Sequence, residues 1–121
     1  MNNHSIQLNS IHCNATSESN LTAGDEVYLV CQGDGGAAIR IPSERNSSQN
    51  MKKGSTWDLN QLTFLFQYEE LVTLWDHDLN NDPNLATYLQ SHDFEPGTGS
   101  GAIRLTNLNG ADYTINYTYL D

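Results

Sequence analysis

Apolar and polar residues alternate in short runs along most of the chain, and turn-rich stretches separate the runs. That period of two is the mark of strands with one face buried, and no segment carries a convincing helical stripe. The cleanest run is Ala111–Leu120, where Tyr113, Ile115, Tyr117 and Tyr119 alternate with Thr114, Asn116 and Thr118. Glu26–Gln32 puts Val27, Leu29 and Cys31 on one face and Tyr28 and Val30 on the other. Glu69–Trp75 sets Val72 and Leu74 against Leu71, Thr73 and Trp75. In Ser5–Cys13, Ile6 and Leu8 have the opposite parity to Ile11 and Cys13, which predicts a bulge near Asn9–Ser10. Further strands are expected at Ala37–Pro42, Ser55–Leu59, Leu62–Gln67, Leu85–Phe94 and Ala102–Leu105. Ser43–Gly54 reads as a polar connection, and Pro83–Gln90 has room for a helical turn or two, with Pro83 at its first position. About eight strands in one domain, residues 1–121, point to an all-β fold, an antiparallel β-sandwich.

Charge narrows the function. The 121 residues carry 5 basic and 15 acidic side chains, a formal charge of −10. A nucleic-acid binder working by phosphate neutralisation is excluded on that balance, and a cation or a basic protein suits the surface. No apolar run is long enough to span a bilayer, and Met1–Ser5 lacks the basic-then-apolar pattern of a signal peptide. The expectation is a soluble protein, cytoplasmic or secreted in mature form. Cys13 and Cys31 fall in two candidate strands; two buried free thiols are the simpler reading, with pairing open if those strands adjoin.

One stretch concentrates chemistry. Asp76-His77-Asp78-Leu79-Asn80-Asn81-Asp82-Pro83-Asn84 places six carboxylate or carboxamide side chains in nine positions. Hard cations such as calcium take about six to eight oxygen ligands, and alternate residues of an extended loop point the same way. Asp76, Asp78, Asn80, Asp82 and Asn84 share that parity. Clustered carboxylates repel, and a divalent ion offsets the repulsion. The competing reading is a solvated turn, since Asp and Asn also favour turns. An EF-hand is excluded: its sixth position would be Asn81 instead of Gly and its twelfth Thr87 instead of Glu, and Leu71–Trp75 reads as strand.

Val72-Thr73-Leu74-Trp75-Asp76-His77-Asp78 resembles the strand-to-loop segment of C2 domains, in which an apolar strand ends in D-x-D. Asp82-Pro83-Asn84-Leu85-Ala86 is similar to the ending of that loop, with Asn84 where Asp is usual and Ala86 where Gly is usual. Gly24-Asp25-Glu26-Val27-Tyr28-Leu29 resembles the D-P-Y-V segment after the first calcium loop, with Glu26 in place of Pro; Glu18 is the acidic residue of the loop before it. The resemblance rests on about 25 residues. It implies an eight-stranded sandwich, a Ca2+ ion between loops at one end, and often calcium-dependent docking to phospholipid. Carried over residue by residue, the ligands are Asp25, Asp76, Asp78, Asp82 and Asn84, with Asn84 the weaker. Exposed basic or apolar tips usual in membrane docking are reduced here to Leu79, Pro83 and Leu85.

Other chemistry is sparse. His77 lies between two aspartates, but neighbours on an extended chain alternate, so it is expected to point away from them. No nucleophile or zinc-protease motif occurs; Glu69-Glu70 and Asp93/Glu95 are carboxylate pairs read as strand ends, and no enzyme activity is expected. Gly33-Asp34-Gly35-Gly36 reads as a turn. Arg40, Arg45, Lys52 and Lys53 form a basic cluster that could meet a phosphate or an acidic partner but reads better as a solvated connection. The expected function is a small calcium-binding C2-like domain that docks to phospholipid or a protein partner; the alternative is a metal-independent lectin-like or protein-interaction sandwich.

Overall fold

Short strands with one apolar face become stable only when two such faces cover each other, and the chain solves this with two sheets. The computed structural model describes residues 3–17, 24–45, 47–77, 86–108 and 110–120. The strands are β1 (His4–Ala15), β2 (Asp25–Gly33), β3 (Ala38–Ile41), β4 (Gln49–Met51), β5 (Thr56–Phe66), β6 (Glu70–His77), β7 (Ala86–Phe94), β8 (Gly99–Thr106) and β9 (Asp112–Tyr119). One sheet has the order β5-β1-β9-β8 and the other β3-β2-β6-β7, with β4 also paired to β2. All pairings are antiparallel. Strand β3 pairs with Leu29–Gln32 and β4 with Asp25–Val27. The two pieces thus share one edge of β2, and the nine strands of the described residues fill eight places.

The bulge expected in β1 is present against β9, where Leu8 and Ser10 face the consecutive Tyr117 and Asn116; against β5 the extra residues are on β5, three of them (59–61) facing Asn9. The effect of the bulge is the one the parity required: Ile6, Leu8, Ile11 and Cys13 are all fully buried. Asn9, the extra residue against β9, uses its carboxamide to accept from Gln7 Nε2 and to donate to Thr118 Oγ1. Opposite the bulge, Asn60 and Gln61 have φ of 54° and 57°, in the left-handed region. That kink explains why the sequence reads as two strands where the structure has one, β5. The polar stretch 43–54, expected to lack a strand, contains β4, held by backbone pairing and the buried Met51. The helical turn expected within Pro83–Gln90 is corrected in its second half: Ala86–Gln90 belongs to β7 and pairs with β6. Residues 83–85 lie outside the described ones.

Between the sheets lie Val27, Leu29, Val72, Leu74, Tyr113 and Ile115, among others, all essentially without solvent contact. Cys13 and Cys31 are free and buried, on strands of different sheets. Burial raises both thiols, Cys31 to about 12, where nearby Glu70 adds to the effect. The thiolate is the reactive form, so a thiol reagent at about pH 8 should label neither cysteine in the native protein and both in denaturant. Rapid labelling of the native state would contradict this packing.

The turns are fixed by local chemistry. Asp34, in the β2–β3 turn, has φ of 51° and accepts hydrogen bonds from the backbone N–H groups of Gln67, Tyr68 and Glu69. Those donors hold its carboxyl below the usual range. Arg40 donates to the carbonyls of Pro42, Glu44 and Ser47 and stacks 3.9 Å above the Tyr28 ring. The first residue of the expected basic cluster is therefore a brace for the β3–β4 connection.

Candidate functional site

Antiparallel pairing decides which side chains meet at each end of the sandwich. Val27 lies opposite Asp76, so Asp25 and Asp76 sit at the same end of adjacent strands. Both belong to the inward-facing parity of their strands, with Val27 and Leu29 in β2 and Val72 and Leu74 in β6. Asp25 is 0 % exposed and Asp76 is 7 % exposed. The two carboxylates are tucked into the end of the core. Of the predicted ligands these two lie in the described chain; Asp78, Asp82 and Asn84 fall outside it.

Gly24 delivers Asp25 to this position. Its φ is 80°, and a Cβ there would stand 2.6 Å from the Met51 carbonyl oxygen. An L side chain is excluded twice over, by conformation and by contact. Asp25 then accepts from Ser17 N at 3.1 Å and 3.3 Å, from Ser17 Oγ at 2.9 Å, and from Tyr113 Oη at 2.5 Å. Tyr113 is held well above the usual phenol range by burial and by this carboxylate, so it stays a donor. Asp76 Oδ1 accepts from Glu26 N at 3.0 Å, which ties the end of β6 to the start of β2. Asp25 thus joins the β1–β2 segment, β2 and β9, across both sheets.

Other groups gather on the outer face. Tyr28 stacks on Trp75, centroids 6.4 Å apart at 10°, and Trp75 meets Tyr88 edge-on at 5.6 Å. With Arg40 over Tyr28, the row crosses β3, β2, β6 and β7. His77 lies on this face, its ring 6.5 Å from Tyr28, and so points away from Asp76 as strand alternation requires. It is 3 % exposed. His77 Nε2, Glu26 Oε2 and Trp75 Nε1 are buried without a hydrogen-bond partner among the described residues. Sequence reasoning missed this row. Its signal was present, since Tyr28, Trp75 and Tyr88 each sit at outward parity in a predicted strand.

Among the described residues, no three His, Cys, Asp or Glu side chains converge as a metal-binding group. The donor chemistry at this end, carboxylates on neighbouring strands, is still the hard-oxygen kind that suits calcium. The two described carboxylates do not complete such a site. Among the described residues, no helix is long and apolar enough to cross a membrane.

The sequence matches no protein-family model and no curated protein. Solved structures do match. A structure described as that of a C2 domain superposes with a TM-score of 0.61 and 13 % identity, covering 98 % of this chain and 99 % of its own. A C2 domain of a plant extended synaptotagmin 1 gives 0.59 and 7 % identity, over 97 % and 92 %. Human GIVD cytosolic phospholipase A2 gives 0.54 and 10 % identity, over 97 % of this chain but 17 % of the enzyme. With two antiparallel sheets ordered β5-β1-β9-β8 and β3-β2-β6-β7, the chain has the C2-like β-sandwich fold.

Proposed function

We propose that the chain is a small, non-enzymatic C2-like domain that binds calcium at the end of the sandwich carrying Asp25 and Asp76. The observation that carries this reading is the burial of these two carboxylates at the same end of adjacent strands, in a protein of formal charge −10. Buried carboxylates favour a counter-charge. Asp25 and Asp76 would hold the ion from the strands, with Asp78, Asp82 and Asn84 as its further ligands. The ion supplies charge neutralisation when bound. The chain supplies the rest: Ser17 and Tyr113 orient the Asp25 carboxylate, and the Glu26 amide orients that of Asp76. Docking to phospholipid or to a protein partner follows from the change in potential at that end.

A ligand that binds only the native state raises stability with concentration, by about 2.7 kcal/mol at 100 times Kd. For a domain of this size that is a rise in Tm of roughly 8–16 °C. The melt should shift up in millimolar calcium and return in chelator. An unchanged Tm at 5–10 millimolar calcium (on the order of any weak extracellular-type site) would refute the reading.

The aromatic row on the outer face favours a second reading, a metal-independent lectin-like or protein-interaction sandwich. Rings such as Tyr28, Trp75 and Tyr88 offer apolar faces with polar handles. Glycan binding that persists in chelator and falls with Trp75→Ala would favour it; loss of all binding in chelator would remove it.

A further inference from the structure

At the opposite end from Asp25 and Asp76, the chain crosses from β7 to β8 and so from one sheet to the other. A cleft of about 380 Å³ opens where these two edge strands meet. Its aromatic walls are Phe94, Tyr117 and Tyr119. Tyr117 and Tyr119 stand nearly perpendicular, 81° apart with centroids at 5.5 Å, and Phe94 meets Tyr117 at 75° and 5.0 Å. Phe94 is buried and forms the floor; the two tyrosines are half-buried. Asp93 and Glu95 line the same cleft and are exposed.

Two glycines make the walls possible. A Cβ on Gly97 would lie 2.9 Å from the Tyr119 ring, and one on Gly101 would lie 2.5 Å from Tyr117 Oη. Tyr119 Oη donates to the Glu95 carbonyl at 2.5 Å, which fixes the ring against the Glu95 backbone. Burial, with Tyr117 and Glu95 nearby, raises the Tyr119 phenol and keeps it neutral.

We infer that this cleft binds a small organic cation, a quaternary or alkylated ammonium group. Perpendicular electron-rich ring faces attract a cation and accept the apolar methyl groups of an alkylammonium, which a hydrated inorganic ion lacks. The carboxylates of Asp93 and Glu95 supply complementary charge, and the formal charge of −10 concentrates cations around the chain. An anionic or phosphorylated ligand is disfavoured by the same groups. The inference does not depend on calcium binding, because the cleft shares no residue with the other end.

The test is calorimetric titration with choline, in chelator, beside its neutral carbon isostere 3,3-dimethylbutan-1-ol. Choline should bind at least about ten-fold more tightly, a difference of about 1.4 kcal/mol. Tyr119→Leu should weaken choline roughly five- to ten-fold, and Glu95→Gln, which leaves every ring in place, roughly three-fold. Amide shifts in NMR on adding choline should centre on residues 93–97 and 117–119. Equal binding of choline and its isostere would overturn the inference. So would full affinity in Glu95→Gln together with shifts centred elsewhere, or no binding up to tens of millimolar choline (about the ceiling for a useful site).

Discussion

Asp25→Asn lowers the stability of the native protein by about 2–3 kcal/mol in chelator, and by more in calcium, where the proposed ligand is lost as well. Asp25 is fully buried and takes hydrogen bonds from Ser17 N, Ser17 Oγ and Tyr113 Oη. Asparagine replaces one acceptor oxygen with an NH2 group, which then faces a donor. Hydrogen bonds to a charged acceptor contribute about 1.5–3 kcal/mol each, and a buried donor left without a partner costs about 1–3 kcal/mol. Tyr113→Phe removes one donor and leaves Asp25 with Ser17, so its cost is at the low end for a bond to a charged acceptor, about 1.5 kcal/mol. Urea unfolding measures both; the midpoint should fall with little change in slope. A loss below about 0.5 kcal/mol for Asp25→Asn would mean that Asp25 does not hold the two sheets together at this end.

The second large effect is a dependence on pH set by Glu70. This side chain is 2 % exposed, and its Oε2 has no hydrogen-bond partner among the described residues. It lies on the inner face at the far end of β6, opposite Gly33, where a Cβ would stand 2.9 Å from Glu70 Oε1. Burial, then the nearby Asp34 carboxylate, raises its pKa from 4.5 to about 7. The folded state therefore favours the protonated form. Its contribution to stability is fully present below pH 4.5 and is lost as pH rises through about 7. A move of that size corresponds to at most about 3 kcal/mol. Glu70→Gln keeps the shape and removes the ionisation. The variant should match the wild type near pH 4.5 and exceed it by roughly 1–3 kcal/mol at about pH 8. Denaturation at both pH values gives the comparison. Equal stability at the higher pH would show that Glu70 ionises in the fold without cost.

Period-two alternation located most of the strands, because strands with one buried face must alternate. The opposed parities of Leu8 and Ile11 located the bulge in β1. Where structure depended on something other than alternation, the sequence was mute. β4 is held by backbone pairing and one buried methionine, and three residues cannot show a period. The kink at Asn60 and Gln61 rests on backbone angles that neither residue advertises. The acidic end was legible as composition, and D-x-D after an apolar strand pointed to the C2-like fold. What composition could not show was the tie from Asp25 to Tyr113, which joins residues 88 positions apart. Nor could it show Glu70, which reads as a solvated strand end and is buried because Gly33 opposite it leaves room.

The proposal for the acidic end differs from the stability effects above in needing a ligand. Asp76→Asn is the discriminating variant, since the asparagine carbonyl still accepts from Glu26 N while one negative charge is removed. Calorimetric titration of calcium into the wild type and into Asp76→Asn tests the site directly. Saturable binding by the wild type, weakened at least about ten-fold (about 1.4 kcal/mol) in a variant that melts as the wild type does in chelator, is the expected result. No binding by the wild type, or the same isotherm from both proteins, would contradict it.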